Sequence, residues 1–141
     1  METYLGLDLG GTKLLIGEID SRGNILRYKK YDSGYFNQQA ALDIIKLSLD
    51  DYIKTVGWYD KKPLVMGVGL IGRVDPNQGI WLQIDPSRTQ PIALAKELAD
   101  IYGIPCRTWV GLRANFQKLH LFEYRNGYCS RHGCERQADT W

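Results

Sequence analysis

Up to Pro105 the apolar and polar positions of the chain follow strand and helix periods; beyond it they sustain neither. Residues 5–9 form an apolar strand that runs into a Gly-Gly turn. Residues 14–20 continue as a second strand, closed by the turn Ser21-Arg-Gly-Asn24, and residues 25–31 make a third. Residues 37–56 carry Leu42, Ile45, Leu49, Tyr52, Ile53 and Val56 on one helical face, with Asp43, Lys46, Asp50 and Lys54 largely off it, which predicts a core-facing helix. Residues 63–70 are short and fully apolar, as in a buried strand. Residues 80–84 read as a brief strand, residues 91–102 as a second amphipathic helix stopped by Gly103 and Pro105, and a last strand is expected from Ile104.

The segment with specific chemistry is Leu5-Gly-Leu-Asp-Leu-Gly-Gly-Thr-Lys-Leu14. Its spacing predicts a phosphate-binding hairpin. Gly10 and Gly11 let the backbone adopt conformations barred to other residues and bring N–H groups against a polyphosphate. Thr12 adds a hydroxyl and Lys13 a cation. Asp8, just before the turn, is where a carboxylate could hold a hydrated Mg²⁺, an ion that keeps its waters and takes few protein ligands. The pattern therefore points to MgATP. Gly6 and Gly11 also have the outer spacing of a P-loop, but that motif needs Lys followed by Ser or Thr at the start of a helix. Here Thr12 precedes Lys13 and a strand comes next. A plain Gly-Gly hairpin has no need of Asp8, Thr12 and Lys13 together.

With Val65-Met-Gly-Val-Gly-Leu-Ile-Gly-Arg-Val-Asp75, residues 1–19 resemble the N-terminal half of the ROK family of sugar kinases and related repressors. The first motif is shared across sugar kinases, Hsp70 and actin; the second narrows the resemblance. In ROK kinases an x-P-G-x-V-D turn carries sugar contacts, and Ile71-Gly72-Arg73-Val74-Asp75 matches it with Ile in the proline position, which loosens the turn. The resemblance implies an α/β fold of the ribonuclease H-like, actin/hexokinase ATPase type, a mixed sheet with flanking helices, and Gly72 in the sugar pocket. It also implies phosphoryl transfer from MgATP to a hexose hydroxyl, and intact members that are often homo-oligomers. The family's repressors carry a helix-turn-helix ahead of the kinase-like part, whereas here the first strand starts at Tyr4.

At 141 residues the chain is about one domain, while ROK kinases have two with the active site between them. A net charge of +2 makes no general case for nucleic acid or an anionic membrane. No apolar run approaches the roughly 20 residues of a membrane span, and Met1-Glu-Thr-Tyr resembles no signal or transit peptide, so a cytoplasmic place is expected. Three cysteines do not make a disulfide framework.

The expected division is an N-terminal kinase-like domain over residues 1–106 and an aberrant segment over 107–141. That segment holds six of the eighteen basic residues against three acidic ones, so it is +3 and the rest of the chain −1. The Asn-Asp pair whose Asp is the catalytic base in ROK kinases does not occur, so no catalytic residue is assigned. One reading of the segment is a small zinc site from His120, Cys129, His132 and Cys134, after the His and Cys cluster of many ROK proteins, although Gly127 and Ser130 stand where that pattern needs Cys and Gly. The other comes from the genetic code. Shifted by one base, residues 107–137 can spell E-L-G-L-G-Y-G, three free positions, then K-N-F-I-Y-L-N-I-G-T-G-I-A-A-G. A ROK kinase carries such a stretch after its catalytic pair, including its second phosphate loop. The expectation is a frameshifted segment and an inactive fragment.

Overall fold

Leu5, Leu7 and Leu9 stand at every second position of the first strand, β1 (Tyr4–Leu9), and all three lie in the main core. The computed structural model describes residues 1–35 and 37–110. Along the chain come β2 (Lys13–Ile19), β3 (Ile25–Asp32), α1 (Gln38–Thr55), β4 (Met66–Leu70), β5 (Arg73–Asp75), β6 (Ile80–Gln83), α2 (Leu94–Tyr102) and β7 (Cys106–Val110). Five strands form one sheet in the order β3-β2-β1-β4-β7, and β5 and β6 form a separate hairpin. The first three strands are antiparallel; β4 runs parallel to β1, and β7 parallel to β4. Parallel neighbours need a long connection, which α1 supplies before β4 and α2 before β7. The result is the expected α/β fold, a mixed sheet with flanking helices in ribonuclease H-like order.

The face read from the sequence for α1 is the one that packs. Leu42, Ile45, Leu49 and Tyr52 are fully buried, with Ile53 and Val56 at the margin. Each such side chain contributes about 1.5–3 kcal/mol of burial. Asn37 caps the helix, its Oδ1 accepting the Ala40 N–H at 2.8 Å. From α2, Leu94, Ala95 and Leu98 join the same cluster.

Several boundaries move for identifiable reasons. The second helix begins at Leu94 rather than 91, because Ile92 exchanges two backbone hydrogen bonds with Trp81 (2.8 and 2.9 Å) and holds that segment extended. Residues 73–75, read as a turn, form β5. Pairing them with β6 lets the hairpin carry Trp81 into the core, where it is fully buried and its indole N–H donates to the Ile71 carbonyl at 2.9 Å. The division placed after residue 106 falls inside a strand: Cys106 to Val110 pair with Met66 to Leu70 residue by residue, so the sheet continues through Arg107, Thr108 and Val110. Ladder hydrogen bonds are made by the backbone, so this pairing accepts almost any non-proline sequence.

Candidate functional site

The register places two loops at one edge of the sheet. Asp8 of β1 is opposite Gly69 of β4, and Leu70 of β4 is opposite Val110 of β7. The turn after β1 and the loop after β4 therefore both leave the carboxyl ends of parallel strands, where ligands of open α/β sheets bind.

The β1–β2 turn is tight. Leu9 pairs with Leu14, and the Gly10 N–H donates to the Lys13 carbonyl at 2.8 Å, leaving Gly11 and Thr12 as the exposed tip. Neither glycine has a positive φ, so the expectation that they supply otherwise barred conformations is corrected. What they supply is space. A Cβ on Gly10 would lie 3.3 Å from the Lys13 carbonyl oxygen, and one on Gly11 would meet nothing within 4 Å. A phosphate can thus approach the Gly11 backbone without obstruction. Asp8 is half-buried three residues before the tip, between Leu15 and the side-chain-free Gly69.

Lys13 is not held toward the tip. Its ammonium pairs with Asp32, its register partner on β3, and both side chains are largely exposed. This contact and the lysine charge hold the Asp32 carboxyl below the ordinary carboxylate range. An exposed pair of this kind has little to lose on opening, so Lys13 stays within reach of a polyphosphate at the cost of exchanging one anion for another.

Ser33 is a contributor that sequence reasoning missed. It is completely buried just past β3; its N–H donates to the Thr12 carbonyl at 2.8 Å and its Oγ to the Gly10 carbonyl at 3.3 Å. The two bonds fix the back of the turn. The signal was positional: with Lys13 paired to Asp32, the next residue must reach Thr12.

Gly72, expected in the sugar pocket, lies against the end of β6. It has φ 88°, and a Cβ there would lie 1.9 Å from the Gln83 carbonyl oxygen. The space above it is filled by the chain's own β6 end. Asp75, the last residue of that motif, accepts the N–H groups of Asn77 and Gln78 at 3.1 and 3.3 Å and shapes the β5–β6 turn. His120, Cys129, His132 and Cys134 lie outside the described residues. Among the described residues, no helix is long and apolar enough to cross a membrane.

No protein-family model and no curated protein matches the chain. Solved structures do. The chain is similar to a ROK family transcriptional regulator, a homologue of the E. coli MLC protein, at 24% identity and a TM-score of 0.68, over 77% of this chain and 27% of that one. A ROK family glucokinase from Streptomyces griseus, in complex with glucose and AMPPNP, matches at 22% identity and 0.63, over 93% and 38%. The fold is that of the ROK proteins. A ROK hexokinase from Thermus thermophilus shares it at 19% identity and 0.58, over 77% and 33%. The chain spans between 27% and 38% of the length of these ROK structures, and at such identities the likeness is one of fold.

Proposed function

We propose that the chain is the N-terminal, phosphate-holding part of a ROK sugar kinase. The observation that carries this reading is the β1–β2 tip, open above Gly11 and flanked by Asp8 at the carboxyl end of a parallel strand. MgATP fits these residues. Asp8 would hold the hydrated Mg²⁺, the backbone of Gly10, Gly11 and Thr12 would face the phosphates, and Lys13 would add a charge on release from Asp32. MgATP supplies the phosphoryl group; these residues orient it and spread its charge, which is most of what a kinase must do. The complete reaction also needs a carboxylate to take the proton of the attacking sugar hydroxyl. The resemblance assigns that to an Asn-Asp pair this sequence lacks, so the 141-residue chain gives no sugar-dependent ADP release. The cytoplasm, where MgATP is abundant, is the compartment this reading implies.

The likeness to a ROK regulator supports a second reading, a sugar-responsive regulator fragment that uses no nucleotide. Phosphorus NMR separates the two. The chain should broaden the MgATP resonances, and Asp8→Ala should abolish the broadening while leaving the fold intact. Equal broadening by the variant removes the nucleotide assignment, and none by either chain favours the regulator.

A further inference from the structure

The carbonyls of the β1–β2 turn are held by donors behind it. The Thr12 carbonyl accepts the Ser33 N–H at 2.8 Å, the Gly10 carbonyl accepts the Ser33 Oγ–H at 3.3 Å, and the Lys13 carbonyl accepts the Gly10 N–H at 2.8 Å. A carbonyl oxygen facing the tip would repel a phosphate, and these bonds keep the oxygens of Gly10, Thr12 and Lys13 from turning that way. In a planar trans peptide the N–H points opposite to the C=O, and among the described residues no peptide bond is cis. Holding the Gly10 carbonyl at Ser33 therefore turns the Gly11 N–H, at the other end of the same peptide, to the far side. Among the described residues the N–H groups of Gly11 and Thr12 meet no acceptor, and a Cβ on Gly11 would touch nothing within 4 Å. The tip thus keeps its acceptors inward and leaves donors outward, the polarity that suits an anion.

Ser33 sets this polarity from a position where a hydroxyl is costly. It is completely buried, and a buried hydroxyl destabilises a fold unless it is bonded; here the bond goes to a carbonyl of the turn, not to a residue of its own strand. Asp32 and Ser33, adjacent at the end of β3, divide the turn between them. Asp32 holds the Lys13 ammonium at an exposed ion pair, while Ser33 holds the backbone from inside. The pair can open on exchange for a phosphate and the buried bonds stay closed. Lys13 is then released without loosening the peptides beside it.

We propose that Ser33 is a positioning residue for polyphosphate: by capturing the Gly10 and Thr12 carbonyls it aims the Gly11 N–H at the ligand. The proposal rests on the phosphate-holding reading, and its test keeps the two apart. Amide resonances of the 141-residue chain are followed during titration with MgATP and, separately, with metal-free tripolyphosphate. Both ligands should move the Gly11 and Thr12 amides. Ser33→Ala should shift the Gly11 amide before any ligand is added and weaken both ligands about five- to tenfold, the loss of one hydrogen bond, while the amides of α1 and β4 stay in place. Ser33→Cys, of similar volume but a weaker donor, should fall between wild type and Ser33→Ala, and it serves as the reading if circular dichroism shows that the alanine variant does not fold. Asp8→Ala should weaken MgATP and spare tripolyphosphate, because it acts through the metal. If the wild-type Gly11 amide responds and the Ser33 variants bind as well as wild type, the proposal is overturned and the nucleotide reading stands. Weakened binding with amide shifts spread through α1 and β4 would also overturn it, as the mark of a merely structural role. A wild-type chain whose Gly11 and Thr12 amides ignore both ligands overturns the nucleotide reading and the proposal together.

Discussion

Gly72 and the carbonyl of Gln83 approach so closely that a Cβ on Gly72 would sit 1.9 Å from the Gln83 oxygen and 2.9 Å from its carbon. With φ at 88°, the position is closed to side chains twice over, by space and by backbone conformation. The glycine of the Gly-x-Val-Asp turn is required by the hairpin that folds back over it. Gly72→Ala should therefore destabilise the chain by about 2–4 kcal/mol, summing left-handed strain and overpacking. Urea unfolding at unchanged slope reads this directly. A loss under about 0.5 kcal/mol would mean that the hairpin does not close over Gly72.

Periodicity made the scaffold legible. One strand motif, one helix face and two stop signals were enough to order β1, β2, α1, β4 and α2, because each buries apolar residues that show in the sequence, while β3, which buries none fully, was legible from the turn before it. What stayed hidden depends on distant partners. β5 is held by pairing with β6, Ile92 is kept from the helix by Trp81, and Ser33 reaches the turn only because Lys13 and Asp32 are in register. The β1–β2 turn was legible as a motif, but the use of its glycines was misread: room at Gly11, not an unusual φ, distinguishes it.

The Lys13–Asp32 pair predicts a gain on mutation. Asp32→Asn removes the anion that competes with a polyphosphate for Lys13, without disturbing a buried contact. MgATP affinity should rise by roughly two- to fivefold at low salt, and the gain should shrink as ionic strength rises and screens the turn. The comparison is a pair of nucleotide titrations at low and high salt. An Asp32→Asn chain that binds MgATP no better than wild type at either salt removes Lys13 from the phosphate site.

Glu18 predicts a pH effect. It is fully buried, accepting the Thr3 hydroxyl at 3.0 Å and the Tyr59 N–H at 3.1 Å, and burial lifts its carboxyl above the ordinary 4.5 despite those bonds and nearby Arg27. A carboxyl protonated more easily in the folded chain than in the unfolded one adds stability that is full below the unfolded value. That stability is lost as pH climbs through the folded value. Glu18→Gln keeps the shape and cannot ionise. The stability of the variant relative to wild type should therefore increase as pH rises from about 4.5 toward neutrality, with the other carboxylates cancelling in the difference. Parallel stability curves for the two chains would show that the Glu18 carboxyl is not raised.

Thr108 bears on the segment proposed to be out of frame. It lies in β7 two residues after Cys106, on the same face, buried at 2% exposure with its hydroxyl unpartnered. A residue selected for that place would bond its hydroxyl or lack one. Valine has the same branched shape, so Thr108→Val should raise stability by about 1 kcal/mol, the cost of an unsatisfied buried hydroxyl. The coding sequence should agree with the chemistry: past the Cys106 codon, the second frame should encode Gly-Thr-Gly where the present frame does not. If residues 107–141 are an unselected reading, nothing has selected His120, Cys129, His132 and Cys134 for metal binding. One equivalent of zinc should then leave the thermal midpoint and the amide exchange of residues 127–134 unchanged. Zinc that raises the midpoint and protects those amides would assign the segment to a metal module, because metal binding and folding are coupled. A second frame without Gly-Thr-Gly would end the out-of-frame reading on its own.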